Sequence, residues 1–232
     1  FEFVAISDLG QPESMHYLLM RDSIHGSIDD EITLNGNDLT YHGKSTRLLP
    51  GSAPGSIPWD AFDVDIVIDS TGVYRKKEQL QLHLDSGARR VLVTKPPADE
   101  IDRIVIQGIN QNKINSKDKI ISTTSSTTQV LALMLKVLDQ NFGIENAMMT
   151  NVHAYTSDQP LADSVRSDLR RSRSAVENII PNETWAPDYV SQLLPKFKNK
   201  ISGMAMNVPV ANGSCVDLTT EMSFMPSIEE VN

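Results

Sequence analysis

Residues 122–129 read Ser-Thr-Thr-Ser-Ser-Thr-Thr-Gln, a hydroxyl-rich turn that runs directly into an apolar helical pattern. Hydroxyl side chains favour helix N-termini because they accept hydrogen bonds from backbone N–H groups that have no partner in the helix. The apolar spacing of residues 127–140 predicts a mostly buried helix, which Gly143 ends. His153 closes the strand that is predicted next. The pattern of the chain changes at this turn, so we place a domain boundary near residue 126.

The first half of the chain alternates short apolar strands with helices. A crossover helix is predicted over residues 76–86. Fully apolar short strands are typical of a parallel sheet that helices cover on both faces, so the sequence predicts an α/β fold here. The predicted strands are residues 3–6, 66–68, 91–93, 104–106 and 120–121.

The second half carries longer strands, predicted over residues 148–155 and 203–218, with a basic, serine-rich loop at residues 166–174 between them. This order favours a separate antiparallel sheet with helices on one face. Cys215 is the only cysteine, which excludes an intramolecular disulfide. It lies in an alternating stretch, so we expect a small buried residue in a reducing compartment.

Composition narrows the classes of partner. The net charge of −9 and the pI near 5.0 argue against a nucleic-acid or membrane-surface partner, because phosphate-rich surfaces would repel the chain. We see no apolar run long enough to span a membrane and no signal peptide, and we expect a cytoplasmic protein. No metal site is expected, because metal-ligand spacing is lacking around His16, His25, His42 and His83.

Seven short segments resemble, in order and spacing, the glyceraldehyde-3-phosphate dehydrogenase family. One such segment would be a weak signal, but seven in the family's order are specific, and they span nearly the whole chain. Residues 157–159 and 168–173 look most like the erythrose-4-phosphate dehydrogenase branch. The seven segments are residues 4–8, 22–26, 58–59, 69–74, 152–154, 178–181 and 208–212.

The resemblance implies a Rossmann-like doubly wound parallel sheet, part of an NAD-binding domain, in residues 1–126. It implies an α+β catalytic-type domain with an antiparallel sheet in residues 127–232. The family's first strand, with its glycine-rich turn, and the last part of its catalytic domain lie outside this sequence. We therefore expect the two domains to be incomplete at the N-terminus and the C-terminus respectively, as part of a longer protein. A degenerate natural fragment is the alternative.

The resemblance places Ser126 at the position of the family's nucleophilic cysteine and His153 at the position of its base. In the family a thiolate attacks the aldehyde, the histidine accepts a proton, and hydride passes to NAD. A serine hydroxyl is far less acidic than a thiol, so we expect dehydrogenase activity to be lost or greatly reduced. The structural alternative is that Ser126 only caps the helix, alongside Ser125 and Thr127.

Phosphate binding is implied, by the same resemblance, for Thr127, Thr156, Thr184 and Arg173. These positions match those that hold the substrate phosphate or the attacking phosphate in the family.

Three further positions depart from the family pattern. Gln129 stands where the family has asparagine. Asn207 stands in place of an arginine, which removes a bidentate phosphate donor. Trp185 stands in place of a glycine, and we expect its bulk to fill space near the phosphate. Several departures at functional positions favour natural loss of function over a single engineered change.

The cofactor side matches the family better. Asp8 ends a strand where an acidic residue would bind the adenosine ribose hydroxyls. Ser70, Thr71 and Gly72 match the turn that approaches the nicotinamide-side ribose and the pyrophosphate. NAD is therefore a possible cofactor. The alternative role for Asp8 is that of a helix N-cap, and the two roles are compatible.

Three functions remain open on the sequence. The first is a pseudoenzyme, a structural or regulatory subunit in a homo-oligomer (a tetramer by resemblance) or in a larger assembly. Its basic loop, residues 166–173, is then the candidate contact surface, and a solvated loop is the alternative. The second is an active NAD-dependent aldehyde-phosphate dehydrogenase. The third is a hydrolase that uses a Ser126–His153 dyad, with Asp158 as the nearest carboxylate in sequence.

Overall fold

Two units make up the chain in the computed structural model, which describes residues 1–51 and 53–232. One unit consists of residues 1–103 and 115–122, and the other of residues 104–114 and 123–232. Residues 104–114 thus belong to the second unit although residues of the first unit precede and follow them. From residue 123 onward the chain belongs to the second unit.

The first unit has the parallel strands and connecting helix that the sequence predicts. Strands β1 and β6 pair in parallel, and so do β7 with β8 and β8 with β10. The Rossmann-like α/β class is therefore confirmed. In chain order the elements are β1 (Ala5–Asp8), α1 (Pro12–Met20), β2 (Arg21–Asp22), β3 (Gly26–Ser27), β4 (Ile32–Asn35), β5 (Asp38–Tyr41), β6 (Lys44–Pro50), β7 (Ile66–Asp69), α2 (Lys77–Asp85), β8 (Arg90–Val93), β9 (Arg103–Ile104) and β10 (Ile120–Ser122).

The parallel strands belong to two four-stranded sheets, ordered β1-β6-β5-β4 and β7-β8-β10-β9. A core of Ile57, Trp59, Val64, Val67 and Ala88 packs against β1 and β6. The expectation that helices cover both faces of the sheet is wrong for β7 in this chain. Val67 and Asp69 are buried, whereas Ile66 and Ile68 are about half exposed. Strand β7 is the edge of its sheet, and alternate residues of a strand point to opposite faces.

The strand predicted over residues 104–106 is shorter than expected. Only Arg103–Ile104 pairs in the sheet. Beyond that point the backbone forms hydrogen bonds with the side chain of Asn110 instead of with a neighbouring strand. Its Nδ2 donates to Ile104 O at 2.8 Å, and its Oδ1 accepts from Ile106 N at 2.9 Å. The ladder ends because a side-chain amide supplies the backbone partners.

The second unit is a mixed sheet with helices packed on one face. Its strand order is β12-β13-β11-β14, and β11 pairs with β13 in parallel, whereas the other pairs are antiparallel. The predicted antiparallel sheet is therefore confirmed, with one parallel pair in it, because α4 forms part of the connection between β11 and β13 and lets the chain return in the same direction. The elements are α3 (Ser126–Phe142), β11 (Ile144–Ala154), β12 (Ile180–Asn182), α4 (Ala186–Leu193), β13 (Ile201–Val208), β14 (Ser214–Met222) and α5 (Ile228–Val231).

Helix α3 contributes one face to the core of this unit. Thr128, Leu131, Ala132 and Leu135 are buried, and this spacing is one stripe of a helix. The prediction of a mostly buried helix is wrong, because apolar residues outside that stripe, among them Val137, are exposed. The helix ends at Gly143 as predicted, with a positive φ of 68°. The core residues are Ile106, Leu131, Ala132, Leu135, Ile144, Ala147, Met149, Ala186, Val190 and Phe197.

Cys215 is exposed, so the expectation of a buried cysteine is wrong. It lies on the edge strand β14, where Val216 and Leu218 pack against the core instead. In the described part of the chain, no helix is long and apolar enough to cross a membrane.

Candidate functional site

The hydroxyl-rich turn before α3 is organised by Ser125. Its Oγ accepts from the backbone N of Thr128 at 3.1 Å and lies 2.8 Å from the Oγ1 of Thr128. Gln129 Nε2 donates to Thr123 O at 3.0 Å, which ties the first helical turn to the loop. Ser126 is the first helical residue and is exposed. The cap is therefore Ser125, and the expectation that Ser126 shares the capping role is wrong.

Thr124, two residues before Ser126, has a left-handed backbone with φ 61° and is 1% exposed. A β-branched residue rarely adopts this conformation, because its Cβ crowds the backbone. Such strain persists only where the surrounding structure imposes it, and it concentrates at functional sites. The shape of this turn is thus maintained at an energetic cost.

His153 lies near the end of β11 with its ring orientation fixed. Its Nδ1 contacts the carbonyl oxygen of Ala154 at 2.7 Å. Because a carbonyl can only accept, Nδ1 carries the proton, and in the neutral ring Nε2 is the acceptor; it has no hydrogen-bond partner among the described residues. The imidazole is therefore held in the tautomer that a proton acceptor needs.

Asn207 is opposite His153 in the register of β11 and β13, and it is buried. Its Nδ2 donates to the same Ala154 oxygen at 3.3 Å, and its Oδ1 accepts from Asn182 Nδ2 at 3.2 Å. The amide of Asn207 is thus engaged at both ends within the sheet. A short neutral side chain used in this way cannot provide the two-pronged cationic contact of an arginine.

No hydrogen bond joins Ser126 to His153 within residues 1–51 and 53–232. Asp158, the carboxylate considered as a third member of a triad, lies in an exposed turn. Its backbone N donates to Thr156 Oγ1 at 3.3 Å, and its carbonyl accepts from Arg166. The described contacts therefore do not assemble a serine–histidine–carboxylate relay.

The four predicted phosphate residues all lie in the second unit. Thr127 is half-buried in the first turn of α3, and Thr184 Oγ1 accepts from Ala186 N at 3.3 Å at the start of α4. Arg173 is exposed and pairs with Asp163 at 3.0 Å. Thr156 is also exposed.

Thr156 depends on a residue that the sequence did not reveal. The buried Gln159 accepts from the backbone N of Thr156 at 2.8 Å and from its Oγ1 at 3.1 Å. No sequence motif indicates that Gln159, three residues after Thr156 in the same loop, holds that threonine in place. The expectation that Trp185 fills space near the phosphate is not met within this unit, because the residue is 64% exposed, whereas Ala186 and Pro187 after it are buried.

The predicted cofactor residues lie in the first unit, each at the carboxyl end of a parallel strand. Asp8 ends β1, is exposed, and accepts from Gly10 N through Oδ1 at 2.7 Å. It does not cap α1, whose N-cap is Gln11. A carboxylate at the carboxyl end of a parallel strand is an acceptor that fits the ribose hydroxyls of a dinucleotide.

The turn of Ser70, Thr71 and Gly72 follows β7 and is largely exposed. Gly72 has φ 71°, a left-handed conformation that a residue with a Cβ adopts only with strain. Asp69 anchors the turn, since its Oδ1 accepts from the backbone N of Thr71 at 3.0 Å and from its Oγ1 at 2.7 Å. The turn thus presents a backbone surface that a phosphate or ribose can approach closely.

Acid should weaken this anchor. Burial on its own raises the pKa of Asp69, but hydrogen bonds from His83 and Thr71 outweigh burial and hold the pKa below that of an ordinary carboxyl. Because the pKa of Asp69 is lower in the folded state than in the unfolded state, ionised Asp69 stabilises the fold. This contribution is complete above the unfolded pKa of about 4 and is lost as the pH falls below it. We expect the difference in free energy of unfolding between the wild type and Asp69→Asn to shrink between about pH 6 and about pH 3. Urea titrations at both pH values measure it, and an unchanged difference would contradict the account.

Comparison with known proteins found two family models, one that matches the first part of the chain and one that matches the second part. The family model for the glyceraldehyde 3-phosphate dehydrogenase NAD binding domain matches residues 1–77, and that for the C-terminal domain matches residues 125–232. The glyceraldehyde-3-phosphate dehydrogenase of Geobacillus stearothermophilus is 43% identical over 232 residues, which are 100% of this chain and 69% of the relative. Glyceraldehyde-3-phosphate dehydrogenase 2 of Streptomyces avermitilis is 42% identical, and glyceraldehyde-3-phosphate dehydrogenase 1 of Bacillus subtilis is 41% identical, with the same coverage. The chain therefore belongs to the glyceraldehyde-3-phosphate dehydrogenase family.

Proposed function

We propose that this protein is a pseudoenzyme of its family, which retains the scaffold and NAD binding but has lost dehydrogenase activity. The observation that carries the proposal is the exposed hydroxyl of Ser126 at the start of α3, which makes no hydrogen bond to His153 within the described residues. The resemblance places this hydroxyl where the family has its cysteine. A thiol at a helix N-terminus ionises easily, because the helix dipole and the free N–H groups favour the thiolate. An alcohol at the same place stays protonated and attacks an aldehyde poorly.

The state of the remaining site supports loss at the nucleophile and at the phosphate contacts. His153 still has a free Nε2 acceptor, because Nδ1 donates to Ala154 O. Asn207 is committed to Ala154 and Asn182 inside the sheet. The proton acceptor is thus retained, whereas the cationic contact to phosphate is replaced by a neutral structural amide.

NAD binding is proposed for Asp8, Ser70, Thr71 and Gly72. The exposed Asp8 carboxylate would accept from the adenosine ribose, and the Gly72 turn would let the dinucleotide approach backbone. When bound, NAD supplies a hydride acceptor. On this proposal residues 1–126 form the cofactor domain and residues 127–232 the catalytic-type domain.

One competing function is retained, an active dehydrogenase, and the predicted phosphate residues indicate its class of substrate. Thr127, Thr156, Thr184 and Arg173 would bind the phosphate of an aldehyde substrate. The basic loop at residues 168–173 favours erythrose 4-phosphate alongside glyceraldehyde 3-phosphate, by the branch resemblance. An active dehydrogenase on these substrates is the alternative proposal. The hydrolase hypothesis gains no support from the described contacts of Ser126 and Asp158.

A role as a subunit is supported by exposed apolar surface in the second unit. Met148 and Met204 are exposed on the sheet face opposite α3 and α4. Leu161, Val165 and Leu169 are exposed in the loop that carries the basic segment. Exposed apolar surface of this kind can serve as a protein interface. We propose a homo-oligomer, a tetramer by family resemblance, in the cytoplasm.

The proposal is tested on the complete purified protein by calorimetric titration with NAD and by steady-state assays of NADH production. The expected result is saturable NAD binding with no NADH produced from glyceraldehyde 3-phosphate or erythrose 4-phosphate. Robust turnover on either substrate would establish the active alternative. Absence of NAD binding would remove the cofactor part of the proposal and leave a purely structural subunit.

A further inference from the structure

A buried chain of polar groups runs through the first unit and ends at the exposed turn. Trp59 Nε1 lies 3.0 Å from His83 Nδ1, and His83 Nε2 lies 3.4 Å from Asp69 Oδ2. Asp69 Oδ1 then holds Thr71, as described above. Trp59, His83 and Asp69 are 6%, 5% and 4% exposed, so the chain is shielded from water up to Thr71.

The chemistry of the groups fixes the direction of these hydrogen bonds. An indole N–H can only donate, so His83 Nδ1 is an acceptor and carries no proton. The ring proton is then on Nε2, which donates to Asp69 Oδ2. Asp69 in turn uses its other oxygen for Thr71, and both of its carboxylate oxygens are engaged. Loss of the Trp59 hydrogen bond therefore removes support from His83, then from Asp69, and through Asp69 from the turn.

The position of Asp69 explains why such a chain is useful. Asp69 is the last residue of β7, and its carbonyl accepts from the backbone N of Thr94 at 3.0 Å. Thr71 Oγ1, which donates to Asp69, also accepts from Val73 N at 3.2 Å. Asp69 thus holds the neighbouring backbone through its carbonyl and the turn through its carboxylate. A buried polar network without such a role can be replaced by apolar packing at little cost.

We propose that Asp69, His83 and Trp59 are positioning residues, which hold the Ser70–Gly72 turn in the conformation that receives the dinucleotide. None of the three contacts the ligand on this proposal, since all three are buried beneath the turn. The identity of the ligand rests on the proposed function, whereas the positioning of the turn does not.

The experiment uses the complete protein and two readouts. The first is hydrogen exchange of the amides of residues 70–73 without cofactor, and the second is the dissociation constant for NAD. His83→Phe keeps a ring but removes both nitrogens, and Thr71→Val removes the hydroxyl at nearly constant volume. Each is expected to speed exchange in the turn, and His83→Phe is expected to weaken NAD binding by about tenfold, the effect of losing a hydrogen bond to a charged group. Exchange in β8 should stay unchanged.

Matched controls separate positioning from a general loss of stability. Thr71→Ser keeps the hydroxyl that donates to Asp69 and should leave exchange in the turn as it is in the wild type. The Thr71 variants are compared by exchange alone, because Thr71 itself belongs to the proposed NAD site. His16→Phe also removes a half-buried histidine of this unit, whose Nε2 contacts Ile32 O at 2.7 Å, and should leave the turn unaffected. If His83→Phe does not fold, the same exchange measurement is made on Trp59→Phe and on Thr71→Val with Thr71→Ser as its control.

The outcomes are distinct. Faster exchange in the turn with weaker NAD binding supports the proposal. Unchanged exchange at residues 70–73 overturns it, whatever happens to NAD. Faster exchange with unaltered NAD affinity overturns the assignment of the turn to the dinucleotide. A wild type that binds no NAD, but whose turn loosens in His83→Phe, retains the positioning role and rejects only the cofactor proposal.

Discussion

Ser126→Cys is expected to raise NADH production from glyceraldehyde 3-phosphate by about a thousandfold or more over the wild type. The substituted thiol would lie at the first residue of α3, where free N–H groups and the helix dipole favour its ionisation. The retained His153 has its Nε2 available as a proton acceptor. Restoring the nucleophile therefore restores the one group that the hydroxyl cannot replace.

The variant is best made in a Cys215→Ser background, because Cys215 is exposed and would itself react with thiol reagents. Alkylation by iodoacetamide then reports directly on position 126. We expect labelling at neutral pH to be faster than that of Cys215 in the wild type, since a strand position lacks the helix N-terminus. A variant that is alkylated rapidly but makes no NADH would contradict the expected gain, and would show that the change to Asn207 also prevents the reaction.

Leu135→Ala is expected to destabilise the protein by about 3 kcal/mol, a large part of the stability of an ordinary domain. Leu135 is 0% exposed and packs in the core with Leu131, Met149, Val190 and Phe197. Its loss leaves a cavity beneath α3, the helix whose first residue is Ser126. The position of the candidate site thus depends on this core contact.

The measurement is urea unfolding of the complete protein, with Gln140→Ala as the matched control on the same helix. Gln140 is exposed and near the C-terminal end of α3, so its replacement should change the free energy of unfolding by less than about 0.5 kcal/mol. Equal effects of the two substitutions would show that α3 is not anchored through its buried stripe.

Local sequence pattern predicted much of the fold because the relevant signals are short-range. The strand at residues 66–69, the helix at residues 77–85 and the stop at Gly143 follow from apolar runs and turn residues. The hydroxyl-rich start of α3 was likewise visible, since a cap needs only residues three positions apart. The local pattern did not decide which of the two adjacent serines caps the helix, because both are followed at a suitable spacing by helical residues; in the structure the cap is Ser125.

Longer-range contacts were not predictable in this way. The exposure of Cys215 depends on which face of β14 packs against the core, and Val216 and Leu218 occupy that face. The parallel pairing of β11 and β13 depends on the path of the chain between them. His83 and Trp59 meet across 24 residues, and neither stands in a motif that predicts the contact. Such features depend on tertiary packing, which no local pattern encodes.

The central claim, that hydride transfer has been lost with the thiol, is tested most directly in a single-turnover experiment. The complete wild-type protein, in excess over glyceraldehyde 3-phosphate and saturated with NAD, is followed by NADH fluorescence after rapid mixing. The account predicts no burst of NADH from the wild type and a burst from Ser126→Cys under the same conditions. A wild-type burst equal to the amount of substrate would show that Ser126 sustains the chemistry, and would contradict the account.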